Sequence, residues 1–159
     1  MKTLVVYATT HGCTRKYATK LSECLHGEVT VANLKKDKVP DPAGFDAVVV
    51  GGSIHAGRVQ GAVRSFCQRH AAVLMTKTLG LFLSCMEEGE KAQAQFKAAF
   101  PAELQEKAAA KGVFGGEFDL EKMGWLSKAI VRKVAKVDKS VSRFDESALI
   151  DFAQKMNPL

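Results

Sequence analysis

Tyrosine, tryptophan and proline are scarce in this 159-residue chain, at two, one and four copies. No uninterrupted apolar run approaches the ~18–20 residues that a membrane-spanning helix needs. The four cysteines, Cys13, Cys24, Cys67 and Cys85, are scattered without a C-x-x-C pair. Neither a disulfide framework nor a zinc or iron–sulfur site is therefore expected, and no metal is assigned. Nucleotide signatures are missing too: there is no G-x-x-x-x-G-K-[ST], which removes a P-loop site, and no G-x-G-x-x-G after a strand, which weakens a dinucleotide site. Met1-Lys2-Thr3 leads straight into a strand-like run without a signal-peptide pattern, so a cytoplasmic location is expected.

What is present fits one globular domain over residues 1–159, with 47% hydrophobic and 25% charged residues. Apolar, β-branched runs at 2–8, 46–53 and 77–85 predict buried strands, with weaker strands at 28–34 and 111–118. The run Ala47-Val48-Val49-Val50 is apolar on both faces, as central parallel strands are. Between the strands, helical spacing recurs at 14–26, 61–74, 88–100, 101–110 and 144–156. Five strands alternating with helices predict a three-layer α/β sandwich around a parallel sheet.

The most informative stretch is Val5-Val6-Tyr7-Ala8-Thr9-Thr10-His11-Gly12-Cys13-Thr14. A strand stops at a hydroxyl- and glycine-bearing loop, and a helix begins at once. Loop amides, hydroxyls and the positive end of the helix dipole then converge on one point, which makes an anion cradle. No Lys or Arg lies between Thr9 and Thr14, so backbone and hydroxyl donors must hold the anion. Gly12 permits close backbone approach, and Thr14 is expected as N-cap and hydroxyl donor. Arg15 and Lys16 oppose the dipole in the first turn, a conflict that a bound dianion offsets.

Spaced Thr-x-x-Gly-x-Thr, this loop resembles the phosphate loop of the flavodoxins, which holds the phosphate of FMN. The resemblance implies a flavodoxin-like five-stranded parallel sheet of order 2-1-3-4-5 with helices on both faces. It implies that Thr9, Thr10, His11, Gly12, Cys13 and Thr14 surround the phosphate. The loop Ser53-Ile54-His55-Ala56-Gly57 matches the family's first ring-flanking loop, and Ser84-Cys85-Met86-Glu87-Glu88-Gly89 matches the second. Ser53, Ile54, His55, Ala56, Gly57, Ser84, Cys85, Met86, Glu87 and Gly89 are accordingly expected at the flavin ring. Flavodoxins commonly stack a Trp and a Tyr there; this chain offers His55 and no aromatic in the second loop. An imidazole beside the ring stabilises developing negative charge. His55 is therefore the expected catalytic residue, with a flavin potential less negative than in a carrier flavodoxin.

The formal net charge is +6, and residues 120–143 carry seven basic against two acidic residues, or +5. Carrier flavodoxins are strongly acidic, which this chain is not. It is more similar to the flavodoxin-like, oxygen-independent protoporphyrinogen oxidases, which are quinone-linked enzymes of heme synthesis. The similarity rests on Val48-Val49-Val50-Gly51-Gly52-Ser53-Ile54 followed by Gly57, and on the basic segment after strand five. It implies an oxidoreductase with a tetrapyrrole substrate and a quinone or redox protein as partner. The amphipathic pattern at 120–137 (Trp125, Leu126, Ile130, Val134 and Val137 among lysines and arginines) either packs on the domain, clamps a carboxylated substrate or lies on an anionic membrane. A plain electron carrier is the alternative function. A flavin-free module that binds nucleic acid is a third reading, and nucleic acid is not an expected partner.

Overall fold

In the computed structural model, residues 1–118 and 141–158 are described, and between them residues 124, 125, 128, 129, 132 and 133. Most of the basic segment expected as a helix at 120–137 lies outside the described residues. Three strands form where the chain is apolar on both faces: β1 (Lys2–Tyr7), β3 (Ala47–His55) and β5 (Thr78–Cys85). Two more flank them, β2 (Glu28–Asn33) and β6 (Ala110–Gly115). All pair in parallel, in the order β2-β1-β3-β5-β6. This is the 2-1-3-4-5 order expected for the five principal strands. A sixth strand, β4 (Arg58–Val59), folds back antiparallel on the end of β3.

Alternation along the strands divides the core in two. Leu4, Val6, Val48, Val50, Leu79, Leu81 and Leu83 point to one face. There they pack against α2 (Gly61–Arg69), α3 (Ala71–Leu74), α4 (Gly89–Ala99) and α5 (Ala102–Lys107) through Phe66, Leu74, Phe96 and Leu104. Val5, Val49, Phe82 and Phe114 point to the other face, where α1 (Cys13–Cys24) and α6 (Glu146–Met156) contribute Tyr17, Leu21, Leu149 and Phe152. Each such side chain, fully buried, contributes ~1.5–3 kcal/mol of transfer free energy. Gly51 stands opposite Phe82 in the β3–β5 register, and a Cβ there would lie 2.0 Å from the Phe82 ring. That position must therefore stay bare for the two central strands to close.

Three expectations shift at their edges. The helix expected at 61–74 breaks at His70, which caps both α2 and α3. The fifth strand splits at Gly116 into β6 and β7 (Glu117–Phe118), and β7 pairs antiparallel with β8 (Val141–Ser142). A Cβ on Gly116 would come within 2.8 Å of the Cys85 carbonyl carbon and the Met86 side chain. The helix expected at 101–110 is shorter, with Pro101 as the N-cap of α5. Among the described residues, no helix is long and apolar enough to cross a membrane.

Candidate functional site

The sheet order reverses at β1, so the edge formed by the carboxyl ends of β1, β3 and β5 is where an open α/β sheet places a ligand crevice. The loop after β1 is shaped from within: Gly12 N–H donates to Thr9 Oγ1 at 2.8 Å. Gly12 adopts φ +96° and is itself the N-cap of α1. Only glycine takes that left-handed corner without strain, and any side chain would crowd the approach to the helix end. Thr14, expected as the N-cap, thus sits one turn-step inside the helix. Its hydroxyl is buried and has no hydrogen-bond partner among the described residues. A buried orphan of this kind costs ~1–3 kcal/mol, and a ligand oxygen would recover it.

The helix start carries neither a side-chain cap nor an acid in its first turn. Its leading amides therefore keep their unbalanced positive end. Lys16 does not supply a cation here, because its Nζ binds both carboxylate oxygens of Glu117 at 2.7 and 2.8 Å. Thr10 is exposed, and His11 is half-buried. Cys13 turns away from the loop: its Sγ lies 3.3 Å from Ser84 Oγ and 4.0 Å from the Gly115 carbonyl. Burial pushes that thiol up from its usual range. Only its backbone is left to meet a ligand.

The loop after β3 is a tight hairpin. His55 and Arg58 are paired across it, with Ala56 at φ +50° and Gly57 at φ +76° as the two turn residues. Two successive positive φ values give a type I′ geometry that matches strand twist. For alanine the left-handed corner is strained by roughly 1–2 kcal/mol. The hairpin is pinned by Gln60, whose Oε1 accepts from Ser53 N–H at 3.0 Å while its Nε2 donates to Ser53 Oγ at 2.5 Å. Ile54 is half-buried, whereas His55, Ala56 and Gly57 are exposed. The His55 ring reaches the His11 ring, with centroids 5.8 Å apart and planes tilted by 60°.

In the loop after β5, the side chains of Ser84 and Cys85 are structural. Ser84 Oγ donates to the Gly115 carbonyl at 3.1 Å, and Cys85 Sγ to the Glu87 carbonyl at 3.6 Å. Burial pushes the Cys85 thiol up to about 11, which makes it a poor nucleophile. Met86 is half-buried, and Glu87, Glu88 and Gly89 are exposed. Beyond them a cavity of 1260 Å³ opens toward α4 and residues 143–147, with Phe114 and Val113 among its lining. Its rim holds Glu87, Glu88, Glu90, Asp145 and Glu146. Arg143 bridges to Glu88 at 2.9 Å.

Sequence patterns had not singled out Gln60, Lys35 or Glu117, and Arg143 entered only as one charge of the basic segment 120–143. Each acts across the sheet edge on a residue distant in the chain or on the far arm of a hairpin. The burial of Thr14 on the core-facing side of α1 was not anticipated, since the sequence placed it at the N-cap.

The architecture is that of the flavodoxin-like α/β sandwiches, the fold class of electron-transfer flavoproteins. The flavodoxin domain family matches residues 4–145, and the chain belongs to that family. Among solved structures, it is similar to a short-chain flavodoxin associated with a non-canonical PDU bacterial microcompartment. That similarity has a TM-score of 0.62 at 18% identity, covering 98% of this chain and 96% of that one. Megasphaera elsdenii flavodoxin in its two-electron reduced form gives a TM-score of 0.56 at 18% identity, covering 85% and 99%. At these identities the likeness speaks for the fold alone. A curated relative, protoporphyrinogen IX dehydrogenase [quinone] of Escherichia coli K12, is 35% identical over 77 residues. The match covers 46% of this chain and 42% of that protein, so the chain spans less than half of its relative's length.

Proposed function

We propose that this chain binds FMN at the carboxyl edge of its sheet and works as a flavodoxin-like oxidoreductase. The observation that carries the reading is the buried, unpartnered Thr14 hydroxyl beside left-handed Gly12 at an uncapped helix start. Uncharged donors converging on a helix dipole suit a phosphate dianion. Thr9, Thr10, His11, Gly12, Cys13 and Thr14 would hold the phosphate, with Cys13 contributing only its amide. The ring would lie between Ser53, Ile54, His55, Ala56 and Gly57 on one side and Ser84, Cys85, Met86, Glu87 and Gly89 on the other. In that second loop, Ser84 and Cys85 fix the backbone while Met86 and Glu87 are the ones that reach outward.

When bound, FMN supplies hydride and single-electron chemistry that no amino acid side chain can. The chain's own residues set position, access and potential. His55, exposed and opposite Arg58, provides positive electrostatic character beside the ring site. Replacing it, His55→Ala, should lower the reduction potential of the bound flavin in an anaerobic titration; an unchanged potential removes His55 from the mechanism.

The finer reading is a protoporphyrinogen dehydrogenase-like activity that passes electrons to a quinone, supported by the partial match to the Escherichia coli enzyme. An electron carrier between redox proteins is the alternative, supported by membership of the flavodoxin domain family. Anaerobic oxidation of a porphyrinogen with a quinone acceptor separates the two. Turnover supports the enzyme; none, together with reduction by a flavodoxin reductase, supports the carrier. A peripheral membrane contact through residues 120–143 belongs to the enzyme reading and is checked by co-sedimentation with anionic vesicles.

A further inference from the structure

The first turn of α1 has two sides, and the flavin reading uses only one. Its amides and Thr14 open onto the phosphate cradle. Cys13, Lys16 and Tyr17, spaced i, i+3 and i+4, share another face of the same turn. All three reach the stem of the basic segment, residues 115–117 where the chain leaves the sheet and 143–145 where it returns. On the outgoing limb, Cys13 Sγ lies 4.0 Å from the Gly115 carbonyl, and Lys16 Nζ holds both carboxylate oxygens of Glu117 at 2.7 and 2.8 Å. On the returning limb, the Tyr17 hydroxyl donates to the Arg143 carbonyl at 3.4 Å and accepts from Asp145 N–H at 3.1 Å. The Tyr17 ring stacks on Phe144, with centroids 4.5 Å apart and planes 7° from parallel. The Arg143 amide ties the two limbs together by donating to the Gly116 carbonyl at 2.9 Å.

This clasp depends on the turn that carries it, and the turn is poorly supported from within. No side chain caps it, and no acid in it offsets the helix dipole, which Arg15 opposes. Helix ends of this kind open at little cost. A dianion in the cradle satisfies the leading amides and the Thr14 hydroxyl. It thereby favours the helical form in which Cys13, Lys16 and Tyr17 reach the stem. Linkage works in both directions, so whatever holds the stem also tightens the anion, by the same factor.

We propose that the first turn of α1 couples the cofactor's phosphate to the stem of the basic segment: loading the cradle fixes residues 143–145, and losing the clasp loosens the cofactor. Tyr17 is the main positioning residue, acting on the cradle through the turn it belongs to, and Glu117 is the second, acting through Lys16. The proposal adds regulation to the flavin site and rests on that reading for the identity of the ligand, whereas the coupling itself needs only an anion in the cradle. Its consequence is a check on loading. The root of the basic segment is fixed in the loaded protein and loose in the empty one.

The test is amide hydrogen exchange over residues 141–149 of the full chain, read by mass spectrometry. Flavin-free protein is compared with protein holding FMN, riboflavin or inorganic phosphate, the last against chloride at equal ionic strength. FMN and phosphate should each slow the 143–145 amides about two- to tenfold, as one neutral hydrogen bond does, and riboflavin should not. Tyr17→Phe keeps the ring and removes both hydrogen bonds. In that variant the slowing should vanish, and FMN affinity should fall by the same factor while riboflavin affinity holds. A merely structural Tyr17 would weaken both flavins alike. Should Tyr17→Phe fail to fold, Glu117→Gln breaks the ion pair without opening the core and should reduce the slowing. Exchange left unchanged by both FMN and phosphate, or slowed equally by riboflavin, overturns the proposal. So does full slowing in the variants, or unchanged FMN affinity in Tyr17→Phe. FMN that fails to bind while phosphate still slows exchange sinks the flavin reading and leaves the coupling standing.

Discussion

Two flanks of the same sheet edge carry opposite charge, and they handle it differently. On the β5 side, Glu90 lies in the first turn of α4, and Asp145 caps α6 by accepting from Ala148 N–H at 2.9 Å. There the acids balance the helix ends from within, and Arg143 further ties Glu88 to the strand after it. On the β1 side, α1 starts with no side-chain cap and no acid in its first turn, and the His11 and His55 rings stand 5.8 Å apart, with Arg58 paired to His55 across the hairpin. One flank is electrostatically finished by its own residues. The other is finished only by something from outside, and the crevice between them is where the fold class binds its ligand.

The largest expected effect comes from breaking the finished flank. A Cβ on Gly115 would fall 1.4 Å from the Arg143 carbonyl oxygen. Gly115→Ala should therefore cost at least about 3 kcal/mol of stability by urea denaturation, or prevent folding. A stability loss under 1 kcal/mol would show that residues 143–147 are not held against β6.

Next is the unfinished flank. Thr14→Val removes the orphaned hydroxyl. A hydrogen bond to a charged group is worth ~1.5–3 kcal/mol, so FMN affinity should fall roughly 10- to 150-fold in a calorimetric titration. Flavin-free stability should hold or rise, since an unsatisfied buried group is gone. A drop in stability with FMN affinity unchanged would mean that Thr14 serves packing alone.

These two positions also show how far the sequence could be read. The parallel sheet was legible because Val48, Val49 and Val50 are apolar on both faces and strands alternate with helices, whereas the strand order came only from the resemblance to the flavodoxins. The strand-to-helix corner after β1 was legible because hydroxyls, glycine and a helical pattern fall within six residues. The cap was misjudged: threonine is the better capping residue by propensity, but φ +96° at Gly12 starts the helix two residues earlier. The hairpin at Ala56 carried no signal, since Ala-Gly lacks the Asn or Asp that marks a type I′ turn. Proximities such as His11 to His55, or Gly115 to Arg143, depend on which strands become neighbours. No local pattern contains that information.

A smaller effect is expected at the strained turn. Ala56→Gly should stabilise the chain by ~0.5–1 kcal/mol, because glycine tolerates φ +50°. Destabilisation on thermal melting would mean that the hairpin is held some other way.

The smallest effect concerns pH. Burial, His55 and Lys35 together depress His11 below its ordinary 6.5 in the folded chain. The unfolded chain then binds more protons near that pH, so flavin-free stability should decline as pH falls from about 7 toward 5 and be flat above. Lys35→Gln should reduce that slope, and His11→Gln should remove it. A phosphate bound beside His11 should oppose the trend by favouring its protonated imidazole. A pH-independent midpoint in the flavin-free chain would show that neither burial nor its neighbours depress His11 in the folded state.

The most direct measurement is a pair of calorimetric titrations, FMN and riboflavin, into flavin-free protein in a buffer without phosphate. With Thr14 and the open end of α1 receiving the phosphate, FMN should bind at least about 100-fold more tightly than riboflavin, the worth of one or two charge-assisted hydrogen bonds. Equal affinities, or no heat with either flavin, would contradict an anion cradle at the first strand-to-helix corner.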